Sequence, residues 1–172
     1  MNRSELEAAL SDVAARLAGS GTTARVYIVG GAAMMLAYDS ERTTRDVDGV
    51  VLDGHGPLMR AVADVARSRG LPTGWLNEQA SVYIATTIDR RGSVVFDHPN
   101  LRVIAASAEH LLVMKAHAAR ATDLDDIAQL CELTGVASMA SLEKMCSQVF
   151  PSQQLSSRSR VVLEEFFDRR RE

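Results

Sequence analysis

The chain has 172 residues, 47% of them hydrophobic and 24% charged, as expected for one globular domain or one domain with a small helical annex. Its net charge of -3 does not indicate nucleic-acid binding, although a local basic patch stays open. Cys131 and Cys146 have no zinc-site spacing, and neither a signal peptide nor a membrane-spanning run is recognisable. The composition therefore predicts a cytoplasmic protein with buried free thiols and no membrane partner.

The first part of the chain predicts an alternation of helices and strands. Helices are predicted at residues 4–18, 32–38 and 58–69, and strands at residues 25–29, 46–52, 82–88, 93–96 and 101–105. Ser4 and Glu7 are spaced as a capping box for the first helix. Residues 53–57 are predicted as a loop and residues 97–100 as a turn.

From residue 107 onward the pattern is helical throughout. Helices are predicted at residues 107–120, 122–133, 138–149 and 157–170. Ser107 is the expected N-cap of the first, and Thr122 with Asp125 that of the second. The order predicts an α+β fold, with a small mixed β-sheet and flanking helices followed by a C-terminal helical bundle. We expect an α/β core at residues 1–106 and a helical part at residues 107–172 that packs on it and completes an active-site cleft.

Two aspartates lie close together at the start of a predicted strand. Because side chains alternate along a strand, Asp46 and Asp48 project from one face while Val47 points the other way. Two carboxylates about 7 Å apart repel each other, and a hard divalent cation relieves that repulsion. The pair predicts a Mg²⁺ site suited to phosphoryl transfer, with a solvated strand edge as the alternative.

A glycine pair follows the first predicted strand. Gly30 and Gly31 present bare backbone N–H groups at the start of a helix, where phosphate binds readily. A plain strand-to-helix turn is the alternative. The dinucleotide-binding motif requires G-x-G-x-x-G, which the order Gly-Gly-Ala-Ala does not match, so a dinucleotide-binding fold is disfavoured.

A lysine lies within the apolar stripe of the helix that begins at Ser107. Lys115 is one of only two lysines in the chain, the other being Lys144. One interpretation is that its aliphatic chain covers the edge of the core while the charge stays in water. The other is that its positive charge is directed at a triphosphate. Asp123 and Asp126 follow three residues apart, and therefore on one helical face.

These stretches together resemble a known signature. The segment IVGGAAMMLAYDSERTTRDVDGVV is similar to the strand, Gly-Gly turn, helix and D-x-D of the polymerase-β-like nucleotidyltransferase superfamily. WLNEQ, LRVIAASAEHLLVMKAHAAR and TDLDDIAQL resemble its bacterial branch of abortive-infection and toxin-type nucleotidyltransferases, together with a related family of uncharacterised domains. The resemblance covers roughly residues 26–135.

The resemblance implies a role for each matching residue. It implies that glycines and a lysine contact the phosphates of an NTP, namely Gly30, Gly31 and Lys115. It implies that Asp46 and Asp48 bind Mg²⁺, with Mn²⁺ as the alternative ion. Asp126, with Asp123 beside it, matches the distal acidic residue of the active site. The residues expected to line the nucleotide pocket are Thr43, Thr44 and Arg45.

Other positions match the family less completely. Trp75 and Asn77 match its WLN stretch, and their predicted loop position suggests packing at the pocket edge. Many members carry a third carboxylate on a later strand. The candidate here is Asp97, which the pattern places in a turn.

The implied activity is transfer of a nucleoside monophosphate from an NTP to an acceptor hydroxyl. The toxin-type relatives imply a tRNA 3′ end as acceptor and a cognate antitoxin protein as partner. Two alternatives stay open: a small-molecule or protein acceptor, and a catalytically silent binding or regulatory domain of the same fold. Retention of both aspartates and the lysine favours an enzyme.

Overall fold

The computed structural model describes residues 1–40, 43–80 and 89–170. The chain forms two compact units. The first comprises the described parts of Met1–Val82 and Arg91–Ala106, and the second those of Tyr83–Arg90 and Ser107–Glu172. The strand predicted at residues 82–88 lies outside the described residues.

The first unit contains helices and a mixed sheet. Its helices are α1 (Arg3–Gly19), α2 (Gly30–Ala37) and α3 (His55–Arg69). Its strands are β1 (Ala24–Val29), β2 (Val47–Asp53), β3 (Leu76–Asn77), β4 (Ser93–His98) and β5 (Leu101–Ala105). Within the described ranges the strands form one five-stranded sheet in the order β3-β2-β1-β5-β4. The β1–β2 and β4–β5 pairs are antiparallel, and the β1–β5 and β2–β3 pairs are parallel.

The two faces of the sheet differ in chemistry. Along β1 and β5, apolar residues are buried on one face, whereas Arg25 and Arg102 are exposed on the other. Helices α1 and α3 pack on each other and against the sheet, which explains the burial of alternate residues. Paired residues of neighbouring strands share a face, and Asp48 is paired with Val29. Asp48 therefore lies on the face opposite to that of the buried Ile28.

The described part of the second unit is mainly helical. Its α-helices are α4 (Ala108–Ala118), α5 (Leu124–Thr134), α6 (Met139–Val149) and α7 (Ser157–Arg169), and α4 packs against the other three. Ser107 caps α4 as predicted, since its side chain accepts a hydrogen bond from the His110 N–H. The predicted α+β class, with a mixed sheet, flanking helices and a C-terminal helical part, is confirmed.

Several helix starts differ from the prediction. The capping box of α1 uses Asn2 and Glu5, two residues before the predicted Ser4 and Glu7. Helix α3 begins at His55 and includes a proline in its first turn. The N–H groups of the first turn have no partner within the helix, so the N–H that proline lacks is not required there. Helix α5 begins at Leu124 with Asp123 at its N-cap position. Thr122 lies in the 3₁₀ turn Ala121–Asp123, one residue before the N-cap position at which it was predicted.

The strands also show two departures. Asp97 belongs to β4 and not to a turn, since the hairpin turn is formed by Pro99 and Asn100 alone. Leu76 and Asn77 form β3, which was predicted as loop. A two-residue strand is too short for an alternation to be recognised in the sequence.

The apolarity of the helices and the burial of the two cysteines bear on the membrane and thiol predictions. In the part of the chain that the structure describes, no helix has the length and apolarity needed to cross a bilayer. Cys131 and Cys146 are free and buried, and burial raises the pKa of each thiol to about 11. Both thiols therefore stay protonated at neutral pH and have little nucleophilic character.

Candidate active site

The glycine pair forms the junction between β1 and α2. Gly30 has φ +65°, a left-handed conformation that only glycine adopts without strain, and it is the first residue of α2. The N-cap position is Val29, whose side chain makes no capping hydrogen bond. The first N–H groups of α2 are thus left to other partners, and the exposed Gly31 has no side chain to cover them.

Asp48 lies directly beside this junction. The antiparallel ladder pairs Val29 with Asp48, so the end of β1 and the start of β2 are level. A Cβ atom at Gly30 would lie 3.7 Å from Asp48 Oδ2. The bare backbone of Gly30 and the carboxylate of Asp48 therefore border the same space.

Asp46 precedes β2 by one residue, since the strand begins at Val47 and not at Asp46 as predicted. Asp46 and Asp48 are half-buried and Val47 between them is buried, which agrees with the predicted alternation. The Thr44 hydroxyl donates to the Asp46 carbonyl oxygen at 2.7 Å. The Thr44 N–H donates to the Met1 carbonyl oxygen at 2.9 Å.

Thr44 also faces the glycine pair. A Cβ atom at Gly31 would lie only 3.1 Å from Thr44 Oγ1, so glycine permits this close approach. Thr43 and Arg45 are exposed on either side of Thr44. Of the three residues predicted to line the nucleotide pocket, Thr44 is the one that the structure places against both Gly31 and the Asp46 backbone.

The candidate donor set is the half-buried carboxylate of Asp48, which lies beside Gly30, together with that of Asp46 two residues before it. Among the described residues, no group of three or more His, Cys, Asp or Glu side chains could hold a metal ion. Two carboxylates fit Mg²⁺, because this ion usually takes one or two from the protein and keeps water and phosphate oxygens at its other positions. The residues present therefore fit a Mg²⁺ that binds together with a nucleotide.

Lys115, Asp123 and Asp126 form an ion cluster in the second unit. Lys115 Nζ lies 2.8 Å from Asp123 Oδ1 and 2.8 Å from Asp126 Oδ2. Lys115 is 8% exposed and Asp126 is 4% exposed, so the cluster is nearly dry. The ammonium group of Lys115 is therefore not directed to solvent, as it would be if only the aliphatic part of the side chain covered the core. Its ammonium group has three N–H donors, and the two aspartates account for two.

Asp97 lies at the other end of the sheet from Asp48. It pairs with Arg102 across the β4–β5 hairpin, Nε to Oδ1 at 3.0 Å, and Arg102 is level with Arg25 of β1. Arg25 is four residues, about 13 Å, from Val29, the ladder partner of Asp48. Asp97 borders an open pocket of about 450 Å³ at that far end. It is therefore not a third carboxylate beside Asp48.

Three arginines in and directly after α7 form ion pairs with glutamates. Arg160 pairs with Glu143, Arg169 with Glu165 and Arg170 with Glu132. Such pairs neutralise the positive charge that an RNA backbone would bind. These pairs leave less free positive charge in this part of the chain for the local basic patch that the net charge left open.

Trp75 was predicted at a pocket edge, and the structure places it in the core. It is fully buried, and its indole N–H donates to the carbonyl oxygen of Val62 in α3 at 3.1 Å. Its backbone carbonyl oxygen accepts from the Val47 N–H at 2.6 Å. This link to the residue between the two aspartates could not be predicted, because it depends on a two-residue strand.

The mixed five-stranded sheet, its flanking helices and the C-terminal helical part are consistent with an α+β nucleotidyltransferase fold. The chain belongs to the family described as "Nucleotidyltransferase of unknown function" (DUF6036), whose model matches residues 4–171. No curated protein and no solved structure matches the chain significantly.

Proposed function

We propose that this protein transfers a nucleoside monophosphate from an NTP to an acceptor hydroxyl in a Mg²⁺-dependent reaction, with Mn²⁺ as an alternative ion. The observation that carries the proposal is the position of Asp48 beside the left-handed Gly30 at the start of α2. The family match supports the same general kind of activity.

The residues of the first unit have distinct roles in this reaction. Asp46 and Asp48 hold the ion, which when bound neutralises phosphate charge and activates the acceptor hydroxyl. The N–H groups of Gly30 and Gly31 donate to phosphate oxygens, as helix N-termini do. The acceptor oxygen forms a bond to the α-phosphorus, the bond to pyrophosphate breaks, and the hydroxyl proton is released to solvent. Thr44 maintains the position of Asp46.

In this proposal, a lysine of the second unit supplies a positive charge, and two aspartates hold that lysine in place. We assign the third N–H of Lys115 to an oxygen of the triphosphate, where it offsets charge on the leaving pyrophosphate. Asp126 and Asp123 hold the lysine in a fixed rotamer through the two 2.8 Å contacts. A fixed cation requires no reorganisation during the reaction.

The direct test is nucleotide transfer with each α-labelled NTP and Mg²⁺. We expect Asp48→Asn to lower the rate by on the order of 10²–10³-fold, because it removes a charged metal ligand without changing the shape of the side chain. Asp97→Asn is the matched control, since Asp97 is an exposed strand aspartate at the far end of the same sheet. Equal activity of wild type and Asp48→Asn would exclude this site.

For the acceptor we propose the 3′ end of tRNA, and for the partner a cognate antitoxin protein. Both rest on the resemblance of the glycine, D-x-D, lysine and D-x-x-D segments to toxin-type nucleotidyltransferases. The transfer assay is repeated with total tRNA, with small molecules that carry hydroxyl groups, and with the protein alone. Label in tRNA supports the proposal, and label elsewhere identifies another acceptor. No transfer to any acceptor would favour a silent domain.

A further inference from the structure

Strand β2, which carries Asp48 and begins directly after Asp46, has an unequal pair of neighbours. On one side β2 is paired along its length with β1. On the other side its partner in the described sheet is β3, which has only two residues and pairs Val47 with Leu76 and Asp48 with Asn77. Among the described residues, the position of Asp48 is controlled on this side by the short segment around β3.

Trp75 joins this segment to the core. Its side chain is fully buried, and the indole N–H is hydrogen-bonded to the Val62 carbonyl oxygen of α3. A buried indole N–H without an acceptor is costly, which fixes the ring in one orientation. The same residue accepts the Val47 N–H through its carbonyl oxygen at 2.6 Å. One residue therefore connects α3 to the backbone between Asp46 and Asp48.

The residues after Trp75 form further hydrogen bonds, some within the segment and one to β2. The Asn77 side chain accepts the Gln79 N–H at 2.9 Å and donates to the Gly74 carbonyl oxygen at 3.2 Å. Glu78 accepts the Val51 N–H at 2.9 Å, farther along β2. Asn77 uses its side chain to close a turn, although it is level with Asp48. We call residues 75–78 the edge clip.

We propose that Trp75 is a positioning residue of the metal site, which it controls by fixing the Val47 backbone from the side of β2 that pairs with β3. This rests on the proposed function, because it assigns the metal to Asp46 and Asp48. Rotation or retreat of the indole moves Val47, and with it both carboxylates together. The edge clip thereby sets the position and direction of the two metal ligands.

The test measures Mn²⁺ binding by water-proton relaxation, with no nucleotide present, alongside NTP transfer. Trp75→Phe keeps an aromatic ring and removes the N–H that anchors it to Val62. We expect the Mn²⁺ dissociation constant to rise about 3- to 10-fold, as for other residues that orient metal ligands. The transfer kcat falls at saturating NTP while the KM for NTP changes little, because the glycine junction is untouched.

The control is a core substitution elsewhere in the same unit. Leu17→Ala removes a fully buried side chain of α1, which is at least as destabilising as the loss of one hydrogen bond. It should lower the melting temperature without changing Mn²⁺ affinity. A purely structural role for Trp75 predicts that both variants behave alike, with unchanged affinity in the folded protein.

A second pair of variants covers the case in which Trp75→Phe does not fold. Asn77→Ala removes the acceptor of the Gln79 N–H and should weaken Mn²⁺ binding, whereas Asn77→Ser keeps an acceptor and should restore most of it. If wild type binds Mn²⁺ and both Trp75→Phe and Asn77→Ala bind it equally well, the positioning role is wrong and the proposed function stands. If wild type binds no Mn²⁺ and transfers no nucleotide, the proposed function fails and this role fails with it.

Discussion

At the scale of single residues, the unusual feature is a buried lysine held by two carboxylates. Desolvation of an isolated ammonium is very costly, and the two 2.8 Å contacts from Lys115 to Asp123 and Asp126 offset that cost. The cluster contains one lysine and two carboxylates. Loss of the lysine would therefore leave the two carboxylates without a neutralising charge. The second lysine, Lys144, is exposed on α6.

Replacement of each lysine by methionine separates charge pairing from general packing. We expect Lys115→Met to lower the free energy of unfolding by about 3–5 kcal/mol, because it leaves buried carboxylates without a cation. Lys144→Met should change it by no more than about 0.5 kcal/mol. Urea denaturation followed by circular dichroism measures both. Similar values for the two variants would show that the ion cluster does not stabilise the fold.

At the scale of elements, the start of α3 depends on a close approach of two backbones. Gly54 has φ +71°, and a Cβ atom there would lie 2.1 Å from the Thr23 carbonyl oxygen. Gly70, at the other end of the same helix, has φ +66° and nothing within 4 Å of a Cβ atom. Both glycines adopt left-handed backbone, and only Gly54 is also confined by a neighbouring strand.

This difference makes the two glycines a matched pair for alanine substitution. Gly70→Ala should cost about 1–2 kcal/mol, the penalty for left-handed backbone at a residue with a Cβ atom. Gly54→Ala should cost clearly more, because the start of β1 must also move away. Chemical denaturation of both variants gives the comparison. Equal decreases in the free energy of unfolding would mean that the start of β1 can move away from α3 without an energetic cost.

Element types were predictable where the pattern was long, and element ends were not. The helix at residues 4–18 shows clear spacing, but Asn2 competes with Ser4 as N-cap, and both have suitable side chains. Asp97 resembled a turn residue because its strand partner Arg102 is five positions away across a hairpin. Leu76 and Asn77 form too short a strand to leave a pattern.

The candidate site was predictable as residue types and not as contacts. Gly30 and Asp48 were each recognised, but their adjacency depends on antiparallel pairing of β1 with β2, which spacing alone does not specify. The role of Trp75 needs the tertiary contact with Val62. Lys115 was predicted within an apolar stripe, yet its partners Asp123 and Asp126 lie around the start of α5, which the sequence placed two residues too early.

At the scale of the whole molecule, the two groups of predicted site residues belong to different compact units. Asp48 and the glycine junction lie in the first, and Lys115 and Asp126 lie in the second. The family model covers residues 4–171 and hence both units. The prediction that the helical part completes the active site stays a prediction, and a functional experiment can test whether both groups serve one reaction.

A double-mutant cycle on kcat/KM provides that experiment. If Asp48 and Asp126 serve the same step, Asp48→Asn and Asp126→Asn should each remove most of the activity, and the double variant should be little worse than either. Asp125→Asn is the control, since Asp125 is the exposed neighbour of Asp126 on α5. Losses that multiply in the double variant would indicate independent roles.

The pairing of Val29 with Asp48 has a consequence for how related proteins are recognised. The ladder between β1 and β2, and not the length of the connection after α2, sets the distance from Gly30 to the carboxylate. Relatives can therefore gain or lose residues in that connection and keep the same arrangement, since surface insertions cost little chain entropy. A search pattern with a fixed number of residues between the glycines and the aspartates would miss them. A pattern anchored on the two strand ends would find them.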